Sequence, residues 1–208
     1  MKKKYILISS LLVIFLIITI LVITNHTTSF DDSIYNFLFS LRSDNLDTFM
    51  TTITKCANTL TIVVLLVILV FTLKKDDGYL ILINVVCTVG ANQVLKHIIK
   101  RLRPDHLRLV TEGGYSYPSG HSMISIGLYG ILIYIVQKNI KNKPLKITLT
   151  VLLTLLILFI GTSRVYVGVH YPSDVLGGFV LALAILILVI NYYNNHFRGN
   201  KNDKDGSK

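Results

Sequence analysis

Apolar residues run along this chain in long blocks separated by short polar breaks. An α-helix rises about 1.5 Å per residue and a bilayer's hydrocarbon core is about 30 Å thick, so roughly 20 mostly apolar residues make a crossing. Six blocks approach or exceed that length, at about 5–24, 52–73, 79–99, 120–137, 146–164 and 173–193. The pattern predicts an all-α, polytopic membrane helix bundle with six transmembrane helices. The first block follows Lys2, Lys3 and Lys4, as the core of a signal peptide would. It outruns a typical signal sequence, however, and no small-x-small cleavage site follows Val22-Ile23-Thr24-Asn25, so it reads as an uncleaved anchor. The block at 79–99 is interrupted by Asn84, Gly90, Asn92, Gln93 and Lys96. So many polar groups do not face lipid, and this helix should turn toward protein or a wet cavity. Between the first two blocks, Ile34, Phe37, Leu38 and Leu41 recur at i, i+3, i+4 and i+7, the spacing of a short amphipathic helix at the interface. With no internal repeat and no dividing linker, residues 1–208 read as one membrane-embedded domain ending in a polar tail at 195–208.

Composition narrows the reading. Charged residues are 15% of the 208 and apolar ones 52%, against about 25% charged in soluble domains. Plentiful apolar residues and only four prolines exclude a disordered chain. The net charge of +10 could suggest nucleic acid, but the cations sit between apolar runs rather than on a solvated face. No nucleic-acid partner is expected.

Lys/Arg bias in the short loops orients the spans. The side holding the N-terminus carries Lys2–Lys4, Lys74, Lys75, Lys138, Lys141, Lys143, Lys146, Arg198, Lys201, Lys204 and Lys208, 13 cations against four acids. The opposite side carries eight cations against seven acids. Both termini are therefore expected in the cytoplasm. Five of the eight outer cations crowd between Lys96 and Arg108, where the bias disfavours them. Headgroup snorkelling or anion binding would account for them.

Three clusters on the outer side bear on that choice. In Lys96-His97-Ile98-Ile99-Lys100-Arg101-Leu102-Arg103-Pro104, Lys96 and Arg103 are seven residues apart and can share one helix face, with Pro104 ending the run. Tyr117-Pro118-Ser119-Gly120-His121 opens the fourth span. Free backbone N–H groups there suit an oxyanion, and Gly120 permits close approach. His121 fits a proton donor or an ordinary interfacial histidine. The third cluster, Ser163 to Asp174, joins the last two spans and contains Arg164, His170 and Asp174. Asp174, four residues beyond His170, either fixes the imidazole tautomer or serves as a helix-start residue. Together the clusters hold cations for a dianion, a backbone nest and two histidines, an inventory for handling phosphate.

At these residues the chain resembles the phosphatidic acid phosphatase type 2 family, whose superfamily includes the vanadium haloperoxidases. The family pattern K-x6-R-P, P-S-G-H, S-R-x5-H-x3-D is matched at Lys96/Arg103-Pro104, Pro118–His121 and Ser163-Arg164/His170/Asp174. The resemblance implies that His170 attacks phosphorus, Asp174 orients it, and His121 protonates the leaving oxygen and then activates water. Lys96, Arg103, Ser119, Gly120 and Arg164 would hold the phosphoryl oxygens. It further implies no metal or other cofactor. The implied substrate is a lipid phosphate or diphosphate, such as undecaprenyl diphosphate, phosphatidylglycerophosphate or phosphatidic acid, met on the extracytoplasmic face. A soluble haloperoxidase is disfavoured by the spans, and a non-enzymatic lipid-phosphate binder or transporter by the two histidines and Asp174. Cys56 and Cys87 lie in or near spans and read as packing residues. Tyr115, Tyr117, Tyr166 and Tyr171 read as an interfacial aromatic belt.

Overall fold

The computed structural model of the protein describes residues 2–195. The polar tail expected at 195–208 lies outside the described residues beyond its first position. Nine α-helices are formed among the described residues: α1 (Lys2–Ile23), α2 (Thr28–Ser40), α3 (Asp44–Lys55), α4 (Thr59–Thr72), α5 (Lys75–Ile99), α6 (Gly120–Ser125), α7 (Ile131–Asn139), α8 (Lys143–Tyr166) and α9 (Pro172–Tyr193). A π-helical turn at Ile126–Gly130 joins α6 to α7, and together they make one span, Gly120–Asn139. Five helices are long and apolar enough to cross a membrane, and six if the bent pair α3–α4 counts as one. The protein is a multi-pass membrane protein.

Its lipid-facing and protein-facing surfaces are sorted by residue type. Leu60, Phe71, Val86 and Leu152 point outward, as they must where the solvent is hydrocarbon. The polar residues of α5 do the reverse. Asn84 and Asn92 are buried, and their amides donate to Gly127 O (2.6 Å) and Pro118 O (2.9 Å). The polar interruptions in this block thus form a seam against the α6–α7 span, although Gly90 and Gln93 remain exposed. At the opposite end of the bundle, the buried carboxylate of Asp77 pairs with Lys138 and accepts from Asn139 (2.8 Å).

Three expectations are corrected. The block at 52–73 is not one helix: it starts inside α3 and bends by 49° at Cys56–Asn58. Asn58 is the N-cap of α4, but its side chain does not cap; it accepts from His121 instead. The amphipathic helix exists as α2, yet its most buried positions are Asp31 and Tyr35, while Phe37 and Leu41 are exposed. The aromatic belt also loses two members, because Tyr117 and Tyr166 are buried. The Tyr117 hydroxyl shares a hydrogen bond of 2.9 Å with Thr19 of α1, and the Tyr166 hydroxyl donates to Asp47 of α3 (2.5 Å). Gly177 on α9 accommodates the Tyr117 ring; a Cβ there would fall 2.5 Å from its hydroxyl oxygen.

Candidate active site

All three clusters converge where the segment 100–119 folds back over the ends of α5, α8 and α9. Pro104 sets the geometry of the first. A helix continued through it would drive its ring into the carbonyl four residues earlier, that of Lys100. The helix α5 stops at Ile99, and Lys100 closes it in the left-handed conformation (φ 52°, ψ 32°), its N–H donating to Lys96 O. The expected common helix face for Lys96 and Arg103 is therefore not formed. Lys96 stands on the last turn of α5, and Arg103 reaches the site from the loop.

Arg103 ties that loop to the candidate nucleophile. Its guanidinium donates to Gly113 O, Gly114 O and Val169 O, and Nη1 lies 3.2 Å from His170 Nε2. Arginine has no acceptor, so Nε2 accepts and the imidazole proton belongs on Nδ1. Nδ1 faces Asp174 Oδ2 at 3.2 Å, the pairing anticipated from their spacing. Asp174 is also the helix-start residue of the alternative reading: its Oδ2 accepts from the backbone N–H of Tyr171 (2.9 Å), as an N3 carboxylate does. The two roles coincide, because helix-start geometry turns the carboxylate back toward His170.

The turn carrying His170 depends on Gly168. Its φ of +78° is a left-handed conformation, and a Cβ there would lie 2.4 Å from Leu107 O. His170 is buried, at 2% exposure. Burial, then the charges of Arg164, Arg103 and Lys96, hold its pKa well below the ordinary histidine value. The imidazole is neutral, as a nucleophile must be.

Arg164, on the last turn of α8, is 1% exposed. It donates from Nη1 to Thr54 Oγ1 and from Nη2 to Glu112 Oε1, both at 2.5 Å, while its Nε has no hydrogen-bond partner among the described residues. Glu112 leans toward the second arginine too, with Oε2 3.8 Å from Arg103 Nη2. Lys96, Glu112, Gly120 and His121 line one end of a cavity of about 410 Å³ between α4 and α5. Its other end is apolar, with Ile62, Leu66 and Val89 in its walls. His121 opens α6 with Nε2 3.0 Å from Asn58 Oδ1. Ser119 is turned inward: its Oγ accepts from Ser122 N–H (3.4 Å) and Ser122 Oγ (2.9 Å), and its own N–H donates to Asp174 O (3.1 Å). It therefore caps α6 and fastens that helix to α9.

The sequence profile of the PAP2 superfamily matches residues 78–198, more than half of the chain and every residue of this cluster from Lys96 to Asp174. The chain belongs to the PAP2 superfamily. It is 36% identical over 188 residues to phosphatidylglycerophosphatase B of Bacillus subtilis (strain 168), covering 86% of this chain and 91% of that protein. It is 29% identical over 130 residues to an undecaprenyl-diphosphatase of Sulfolobus acidocaldarius, 59% of this chain and 58% of that one. In structure it resembles the transmembrane PAP2 type phosphatidylglycerolphosphate phosphatase from Bacillus subtilis, with a TM-score of 0.84 and 34% identity over 92% of this chain and 98% of that one. The PAP2 fold is shared also with Aquifex aeolicus LpxE, at a TM-score of 0.67 and 21% identity over 78% of this chain and 96% of that one.

Several neighbours of this PAP2 site escaped the sequence reading. Arg101 donates to Asp174 Oδ1 (2.6 Å), yet in the sequence it is one of five crowded cations. Glu112 registers there only as a loop acid. Asn58 and Thr54 carry no motif, and Asp31 contacts Ser173 across 142 residues. No local signal marks them, because each acts through a contact that only folding creates.

Proposed function

We propose that this membrane phosphatase hydrolyses the terminal phosphate of a lipid phosphate or diphosphate through a phosphohistidine on His170. One observation carries the reading: a neutral imidazole, held through Nδ1 by Asp174, aims Nε2 at a guanidinium, with two further cations nearby. A phosphoryl group held by Arg103, Arg164 and Lys96 lies within reach of Nε2. Arginine grips phosphate oxygens through paired donors, and lysine adds a point charge. Attack by Nε2 forms a P–N bond as the P–O bond to the lipid breaks, and His121 gives its proton to the departing oxygen. His121 then takes a proton from water, whose oxygen attacks phosphorus, breaks the P–N bond and frees inorganic phosphate. The amides of Gly120 and His121 add donors at the start of α6, while Ser119 contributes by capping that helix.

The cavity between α4 and α5 supports a lipid substrate, since it joins the polar cluster to apolar walls. Among candidates, phosphatidylglycerophosphate is favoured over undecaprenyl diphosphate and phosphatidic acid by the extent of similarity to the Bacillus subtilis enzyme. Residues 1–208 act as a single phosphatase domain, both termini cytoplasmic and the site extracytoplasmic, an orientation that rests on the Lys/Arg bias. Glu112 lies between the two arginines and gives way when a phosphoryl group arrives.

The test is a competitive panel of these three lipids with purified protein in EDTA. Phosphate release is expected, with phosphatidylglycerophosphate turned over fastest. Acid-labile label from radioactive substrate should appear on the wild type and not on His170→Ala. Full turnover by His170→Ala would falsify the nucleophile assignment.

A further inference from the structure

Outside the proposed phosphate cradle, a second buried ionic cluster stands behind the nucleophile. Arg101 donates from Nη1 to Asp174 Oδ1 (2.6 Å) and Ser173 Oγ (2.8 Å), and from Nη2 to Asp31 Oδ2 (2.9 Å) and Thr27 Oγ1 (3.3 Å). Its guanidinium stacks 3.9 Å from the Tyr171 ring centre. Asp31, on α2 and 1% exposed, accepts from both the backbone N–H and the hydroxyl of Ser173, each at 2.8 Å. The chain of charges runs Asp31, Arg101, Asp174, His170. Two carboxylates so deeply buried are costly without a shared cation.

We infer that Arg101 and Asp31 are positioning residues for phosphoryl transfer, setting the orientation and basicity of His170 through Asp174. Arg101 withdraws negative charge from the carboxylate that faces His170 Nδ1, and Asp31 limits how much. Neither touches the phosphate cradle. The other groups that face His170 are Arg103 from the loop, Arg164 from α8, Lys96 from α5 and His121 from α6. Those stay unchanged in the variants below, so the effect of the outer pair is separable. Arg101 also borders a cavity of about 460 Å³ that reaches it from the side of Asp32 and His106. A small cation can enter there.

The inference rests on His170 as nucleophile, and His170→Ala in the same assay tests that separately. Arg101→Gln should lower kcat on the order of 10²-fold, the scale of an ångström-level misplacement, with KM changed less than about threefold. Losing a cation makes the imidazole easier to protonate, so the acidic limb of kcat/KM should move up by about one pH unit. Asp31→Asn should move it down, and Arg101→Lys should leave it near the wild-type position while restoring part of kcat. Added guanidinium should partly rescue Arg101→Ala. A rise in KM matching the fall in kcat would place Arg101 on the substrate and overturn the inference. So would limbs that do not move in either Arg101→Gln or Asp31→Asn while His170→Ala is inactive. If Arg101→Gln fails to fold, the limbs of Asp31→Asn and Arg101→Lys decide alone. Turnover by His170→Ala would instead remove the underlying reading.

Discussion

Three cations and one carboxylate share the candidate cradle, and that ratio governs what single residues do. Arg103, Arg164 and Lys96 are partly neutralised by Glu112, which bonds Arg164 at 2.5 Å. An arriving phosphate competes with that carboxylate for the same donors. Glu112→Gln should therefore tighten competitive inhibition by inorganic phosphate or vanadate, roughly tenfold in Ki, or about 1.4 kcal/mol. Weaker inhibition would show that Glu112 instead holds Arg164 in place for the ligand. The neutral state of His170 yields a pH prediction. A histidine whose pKa is depressed by burial and neighbouring cations keeps its nucleophilic form well into acid. The acidic limb of kcat/KM should lie well below 6.5 with a substrate whose phosphate is already ionised there. The same shift makes the folded protein lose stability as pH falls below the ordinary histidine range, because the unfolded chain binds that proton more readily.

At the scale of elements, the breaks in the helices matter more than the helices. Asn58 sits where α3 ends and α4 begins, yet its oxygen serves His121 instead of the helix it caps. A cap side chain that makes no capping bond contributes little stability. Asn58→Ala should change stability by about 0.5 kcal/mol or less while lowering kcat roughly tenfold, as His121 loses its partner. Equal losses in thermal stability and turnover would argue that the bend itself needs Asn58. Gly168 behaves oppositely. Its left-handed backbone alone costs an alanine on the order of 1–3 kcal/mol, and the contact with Leu107 O adds to that. Gly168→Ala should lower both melting temperature and activity, because His170 is two residues away.

For the whole molecule, the Lys/Arg bias along the sequence, within a net charge of +10, sets the proposed orientation. A cysteine introduced at Gly113, where added atoms meet open space, should react with a membrane-impermeant maleimide in intact cells if Cys56 and Cys87 are first replaced by serine. One at Lys141 should react only after permeabilisation. The reverse pattern would overturn the orientation.

Much of this was legible in the chain. The spans follow from the thickness of hydrocarbon, which permits only long apolar helices, and the His170–Asp174 pair from helix-start geometry over four residues. These are local rules, and local spacing states them. The bend at Asn58, the π-helical turn at Ile126–Gly130 and the partners Arg101, Asp31 and Glu112 were not legible. Each involves groups far apart in the chain: Asn58 Oδ1 accepts from His121, Gly127 O takes the amide of Asn84, and Asp31 reaches Ser173. The amino-acid sequence alone determined that the chain crosses a membrane and carries the motifs of the PAP2 superfamily. Tertiary structure decided which charges neutralise one another, because buried charges must find partners and only the packed bundle says which are near.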